Sequence, residues 1–337
     1  MNGALLRHGR TRVARALIAL AVGPLAALAA SEPASADAPS PLVAVVSQKA
    51  AEVALVDIDA RRVRAVIALA AVPAGLAASP DGTTVYVTHP DLSLVSRIDL
   101  ASRTVSATFK VGLEPFGIAV RADGRSVLVS DWSANALIRL DAATGAETGR
   151  VAVGRAPAGL VVDEAAGLAY VANRESNHVT VVRLADMARV ATVATGRAPF
   201  ALALSPGGER LYVANVQSGD LSVIETGTAP REIARLKVGL MPYGVAVTPD
   251  GRTVLVSNQQ SGKLAIVDAE TLALASAQPR LGTFPEAIAV VSPTRAAAVD
   301  WAEDEVVVID LVERTILGRV KVGTSPRNLV ALPGTGH

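Results

Sequence analysis

Residues able to do chemistry are scarce in this chain, and they fall at fixed intervals. Only ten aromatic residues occur in 337. Five of them, Phe116, Phe200, Tyr243, Trp132 and Trp301, stand at two recurring positions. The first position follows a repeated proline and is filled by Ala74, Phe116, Ala158, Phe200, Tyr243, Glu286 and Arg327. The second closes a β-branched run and is filled by Gln48, His89, Asp131, Asn173, Asn215, Asn258 and Asp300, with Trp132 and Trp301 directly after the two aspartates. Aromatic faces beside carboxylates and a guanidinium suit stacking and hydrogen-bonded capture of a ligand. The expected binding set is Phe116, Asp131, Trp132, Phe200, Tyr243, Glu286, Asp300, Trp301 and Arg327.

Catalytic and metal chemistry have thinner support. His89 replaces an asparagine found at the same point in three other units, and with Glu286 it is the candidate acid–base group. Glu286, Asp300 and Asp131 together are the candidate site for a divalent cation; the alternative is that Glu286 pairs with Arg327. No other cofactor is expected. No nucleophile elbow, phosphate loop, zinc-protease helix or dinucleotide fingerprint occurs. There are no cysteines, which removes thiolate catalysis, cysteine-ligated metals, C-x-x-C-H haem attachment and disulfides.

The elements that hold these residues follow from the spacing. Pro73, Pro115, Pro157, Pro199, Pro242, Pro285 and Pro326 recur at intervals of 41 to 43 residues. In the first unit, residues 75–79, Thr84–Thr88, Leu94–Ile98 and Thr104–Phe109 read as four short strands separated by turn residues such as Pro80-Asp81-Gly82. A four-stranded meander buries both faces only by stacking on copies of itself, and radial stacking gives a propeller. Six full units run from Pro73 to Gly323. Residues 41–72 supply three more strands and residues 326–332 one. The expected fold is all-β, a seven-bladed propeller whose last blade joins both chain ends and leaves no open edge. Strand alternation places both ligand positions on one face, around the channel mouth. The other reading of the aromatics is packing between blades. Gly75, Gly117, Gly159 and Gly244 are expected where inner strands crowd the axis, and Asp57, Asp99, Asp141, Glu225, Asp268 and Asp310 in turns on the opposite face.

These features resemble the YVTN family of β-propeller repeats of surface-layer and periplasmic proteins. The motifs are the Pro-Asp-Gly turns at 80–82 and 249–251 and the strands Tyr86-Val-Thr-His89, Tyr170-Val-Ala-Asn173 and Tyr212-Val-Ala-Asn215. The sixth unit departs, with Ser292-Pro-Thr294 for the turn and Ala297-Ala-Val-Asp300 for the tyrosine strand. The resemblance implies an exported binding or scaffold propeller and brings no agreed catalytic residues. Two alternatives stand beside it: a lactonase- or lyase-like hydrolytic enzyme using His89, Asp131, Glu286 and Asp300, and single-stranded nucleic-acid binding by stacking on Trp132, Trp301 and Phe116.

The chain start fits export. Arg7, Arg10, Arg12 and Arg15 precede an apolar run from Ala16 to Ala30 and the A-x-A site Ala34-Ser35-Ala36, the pattern of a cleaved signal peptide over residues 1–36. No membrane span is expected, since the run is short and Gly23-Pro24 interrupts it. Without the leader, 28 basic face 30 acidic residues, a balance with no global attraction for nucleic acid. Residues 37–337 are expected to form one periplasmic or secreted domain, monomeric, taking a small molecule, a peptide or a partner protein on its top face. N-terminal sequencing of the protein recovered from the cell envelope should therefore begin at Asp37 or within a few residues; a chain that retains Met1 contradicts the export reading.

Overall fold

The computed structural model describes residues 40–334; the leader read over residues 1–36 and the terminal His337 lie outside them. Seven antiparallel sheets follow one another along the chain. Blades 1 to 6 begin at Leu76, Pro115, Pro157, Pro199, Pro242 and Pro285. Blade 7 is closed as the spacing predicts: its inner strand, Pro326–Ala331, pairs antiparallel with Leu42–Ser47, which leads into Glu52–Asp57 and Arg62–Ala68. Among the described residues no helix is long and apolar enough to cross a membrane.

Each second strand is a continuous apolar run because both of its faces are covered. Ser126–Asp131 shows the logic. Val127 and Val129 pack against Tyr86 and Val95 of blade 1, whereas Leu128 turns the other way, toward Ala169 and Val171 of blade 3. The same two-residue alternation gives one apolar cluster at each of the seven blade interfaces. Outer strands such as Thr104–Lys110 alternate exposed and half-buried residues, as an edge facing water requires.

One blade departs from the four-strand expectation. Blade 5 keeps three strands, and residues 274–280 make two isolated bridges to its outer edge in place of a ladder, Leu274 opposite Val267 and Arg280 opposite Lys263. That stretch is two residues too long to stay in register, and Pro279 has no N–H to give to a ladder. In blade 6 the unusual Ser292-Pro-Thr294 turn is accommodated by lengthening the inner strand to Pro285–Ser292, with Ser292 pairing Arg295 across a two-residue loop.

At the axis the recurring glycines do what small size permits. A Cβ on Gly75, Gly117, Gly159 or Gly244 would collide with the carbonyl oxygen of Phe116, Ala158, Phe200 or Glu286 in the next blade. In three blades a hydroxyl staples this approach. The Gly75 N–H donates to Thr88 Oγ1 (2.9 Å), which donates to the Phe116 carbonyl (2.7 Å). Ser130 links Gly117 to Ala158, and Ser257 links Gly244 to Glu286, in the same way. Three backbone carbonyls of the post-proline ring are thus fixed from the preceding blade.

Candidate functional site

The post-proline residues converge. Ala74, Phe116, Phe200, Tyr243, Glu286 and Arg327 line one cavity of ≈ 200 Å³ at the top of the axis, together with Asn328, the glycine backbone and aliphatic side chains that include Ile118, Leu202 and Ile288. Ala158 is buried outside it. One half of the wall is an aromatic row. Trp132 and Phe116 have ring centroids 5.3 Å apart, Phe116 and Phe200 meet edge-on at 5.6 Å, and Phe200 and Tyr243 lie 4.3 Å apart. Such tilted and edge-on arrangements are the ones that favour ring quadrupoles. The Arg174 guanidinium lies 5.8 Å above the Trp132 ring and caps the far end of the row.

The other half is polar. Arg327 donates from Nη2 to the Tyr243 hydroxyl (3.1 Å) and from Nη1 to Gln48 Oε1 (3.4 Å), and its Nε stands 3.3 Å from Glu286 Oε2. That last contact is close enough for attraction but misdirected for a hydrogen bond, so Glu286 Oε2 is buried with no donor. Gln259 Nε2 donates to the other carboxyl oxygen at 2.9 Å. Burial pushes the Glu286 carboxyl up to about 7; Arg327 and the Gln259 hydrogen bond oppose the rise and the charge of Asp300 adds to it. Burial also pushes the Tyr243 phenol up, which keeps its proton in place.

The second expected ring is displaced by one residue. Asp131 and Asp300 were placed at the rim by strand alternation, yet both are fully buried. Asp131 accepts from the N–H groups of Leu113, Glu114 and Ala134. Asp300 accepts from those of Thr283, Phe284, Ala302 and Glu303. Their oxygens close the loop before each proline and do not converge with Glu286 on a cation. Among the described residues no three His, Asp or Glu side chains gather as metal ligands. His89 is likewise turned inward, with Nδ1 on the Ala71 carbonyl (3.1 Å) and Nε2 on Ser96 Oγ (2.9 Å), and burial lowers its pKa. It does not face the funnel.

The residue after strand two is the one that reaches the mouth. In six units it donates its N–H to the residue before the proline, as in Trp132 to Glu114, Arg174 to Ala156 and Gln259 to Met241. Gln48 belongs to this set, because Ser47, not Gln48, pairs with Pro326 as Asn173 pairs with Pro157. Gln48, Trp132, Arg174 and Gln259 each touch a member of the funnel wall or row. Trp301 holds the same position but pairs edge-on with Phe284 at 6.3 Å, outside the row. Arg174 and Gln259 escaped sequence reading, although their repeat position, one after the asparagine, is the signal that finds them.

A family model for the YNCE-like beta-propeller matches residues 21–335. The chain belongs to that family. No curated protein matches this YNCE-like propeller. A functionally unknown protein from Desulfotomaculum acetoxidans is similar in structure, with TM-score 0.76 and 15% identity, covering 87% of this chain and 99% of that one. Kuenenia stuttgartiensis hydrazine synthase gives 0.72 and 18%, covering 83% and 98%. The dihydro-heme d1 dehydrogenase NirN in complex with DHE gives 0.66 and 20%, covering 89% and 77%. At these identities the likeness concerns the fold alone.

The buried carboxyl has a consequence for stability. A carboxyl raised from 4.5 to about 7 in the folded state stabilises fully below pH 4.5, and that contribution is lost as pH rises through 7. Across this window wild type should lose up to about 3 kcal/mol relative to Glu286→Gln. Urea melts of both proteins at pH 5 and pH 8 measure the difference; parallel behaviour at the two pH values contradicts a dry, raised carboxyl.

Proposed function

We propose that this is an exported, YVTN-type binding propeller that captures a small ligand in the funnel at the top of its axis. One observation carries the reading: six post-proline residues from six blades meet around a single cavity, and they divide into an aromatic row and a compact polar pole. A fold stabilised by its seven blade interfaces has no packing need for Glu286 and Arg327 at the axis, where a buried ion pair contributes little net stability. Aromatic surface with a few convergent polar groups and a displaced carboxyl pKa is the pattern of a ligand site. Export is supported by the basic start, the apolar run and the A-x-A site.

Neither alternative gains a specific observation. The lactonase-like reading needs His89, Asp131 and Asp300 free to act, and all three are engaged within the fold. The nucleic-acid reading relies on Trp132 and Trp301 in one platform, and each pairs with a different phenylalanine.

A methyl-labelled NMR screen with a library of aromatic fragments tests the funnel. Hits should shift the methyls of Ile118, Leu202 and Ile288, and Phe200→Ala should weaken them by about ten-fold or more, the range of a buried aromatic contact. Hits confined to other surfaces, unaffected by Phe200→Ala, would overturn the reading.

A further inference from the structure

Resting on that reading, we propose that the funnel selects a small aryl carboxylate, its ring along Phe116 and Phe200 and its carboxylate held by Arg327 and Tyr243, with Glu286 as the proton-bearing partner. Donor supply at the pole points to an anion. Arg327 commits two of its five N–H groups to hydrogen bonds, at 3.1 and 3.4 Å. The Tyr243 hydroxyl accepts from Arg327 and keeps its own proton to donate. The Asn328 side chain spends its oxygen on the Leu329 N–H and leaves its amide hydrogens free. Against these donors stands one unpartnered acceptor, Glu286 Oε2.

Charge argues the same way. Arg327 stands at the pole and Arg174 at the end of the aromatic row, so an ammonium ligand would enter beside two guanidiniums. A carboxylate matches the planar fork of Arg327. Its negative charge next to Glu286 favours the protonated carboxyl. The groups facing Glu286 are Arg327 from blade 7, Tyr243 and Gln259 from blade 5, and Asp300 from its own blade. Burial pushes the Glu286 carboxyl up to about 7. Above that pH, binding must draw one proton from solvent to Glu286. Size sets the last limit. A cavity of ≈ 200 Å³ exceeds the roughly 150 Å³ that holds a benzene ring, which leaves room for a ring and a short acidic arm.

Cinnamate, cinnamamide and cinnamylamine share a shape and differ in charge, so calorimetry with the three probes isolates the pole. Cinnamate should bind about ten-fold or more tighter than the other two, the scale of a charge-assisted hydrogen-bond pair. At pH 8, titrations in buffers of different ionisation enthalpy should show uptake approaching one proton, and uptake should vanish in Glu286→Gln. Arg327→Gln should erase the preference for cinnamate. Tighter binding of the amine or the amide, or proton uptake that persists in Glu286→Gln, overturns the proposal and leaves the funnel as a site for another ligand class. Failure of all three probes to shift the Ile118, Leu202 and Ile288 methyls at millimolar concentration overturns both this proposal and the funnel reading.

Discussion

Everything at the top of this molecule depends on how closely adjacent inner strands approach at the axis. In four of the seven strands the approach is closer than a Cβ allows, and these carry glycine at the third position of the proline phrase, whose missing Cβ makes room for a carbonyl of the next blade. Ala201, Ala287 and Asn328 fill that position in the other three. Where Thr88, Ser130 or Ser257 is present, a hydroxyl accepts from the glycine and donates to that same carbonyl. Except at Ala158, the carbonyl belongs to a residue whose side chain lines the funnel. Strand crowding and site geometry are therefore one constraint. A ring built on strand backbones, with its rotamers limited by neighbouring rings, is preorganised in the sense that a loop-borne site is not.

The polar pole gains its character from the same crowding. Glu286 is 2% exposed, and the neighbouring guanidinium attracts it without fully satisfying it. A carboxylate in such a place raises its pKa until the cost of its charge and the attraction balance. The bottom face shows the opposite regime. Asp99 accepts from the Ser102 hydroxyl and N–H, and Asp141 and Asp268 accept from the N–H and hydroxyl of Thr144 and Thr271 in open turns. Those bonds hold their carboxyls below the usual range. Seven similar repeats thus carry carboxylates of contrary behaviour, decided by water access and donor direction.

Much of this architecture was legible in the sequence because repetition states the same fact seven times. The proline spacing yields the blade count, and the three strands before Pro73 with the one after Gly323 yield the closure. The post-proline ring was legible too, since the proline that opens an inner strand fixes the place of the residue after it. The second ring misled because alternation is a rule for strands, and Asp131 and Asp300 stand where the strand ends. There a short acidic side chain gains more from capping three or four loop N–H groups than from facing water. The residue beyond it turns outward, which brings Arg174 and Gln259 to the funnel and gives Gln48 to Arg327. Trp301 fills an equivalent slot yet leans on Phe284, a residue whose place before the proline carries no pattern in the other repeats. Blade 5 lost its outer strand to a two-residue excess that only the pairing register reveals.

The link between strand crowding and the chemistry of the pole can be measured at one atom. Carbon-13 NMR titration of the Glu286 side-chain carboxyl, assigned by its loss in Glu286→Gln, should give a midpoint near 7 in the wild-type protein. In Gly244→Ala the added methyl meets the Glu286 carbonyl, the Ser257 hydroxyl and the Ile288 N–H, so the strand must shift and water must reach the carboxyl. The midpoint should then fall toward the ordinary 4.5 while the fold persists. An unchanged midpoint in the alanine variant, or a wild-type midpoint already at 4.5, would contradict the account.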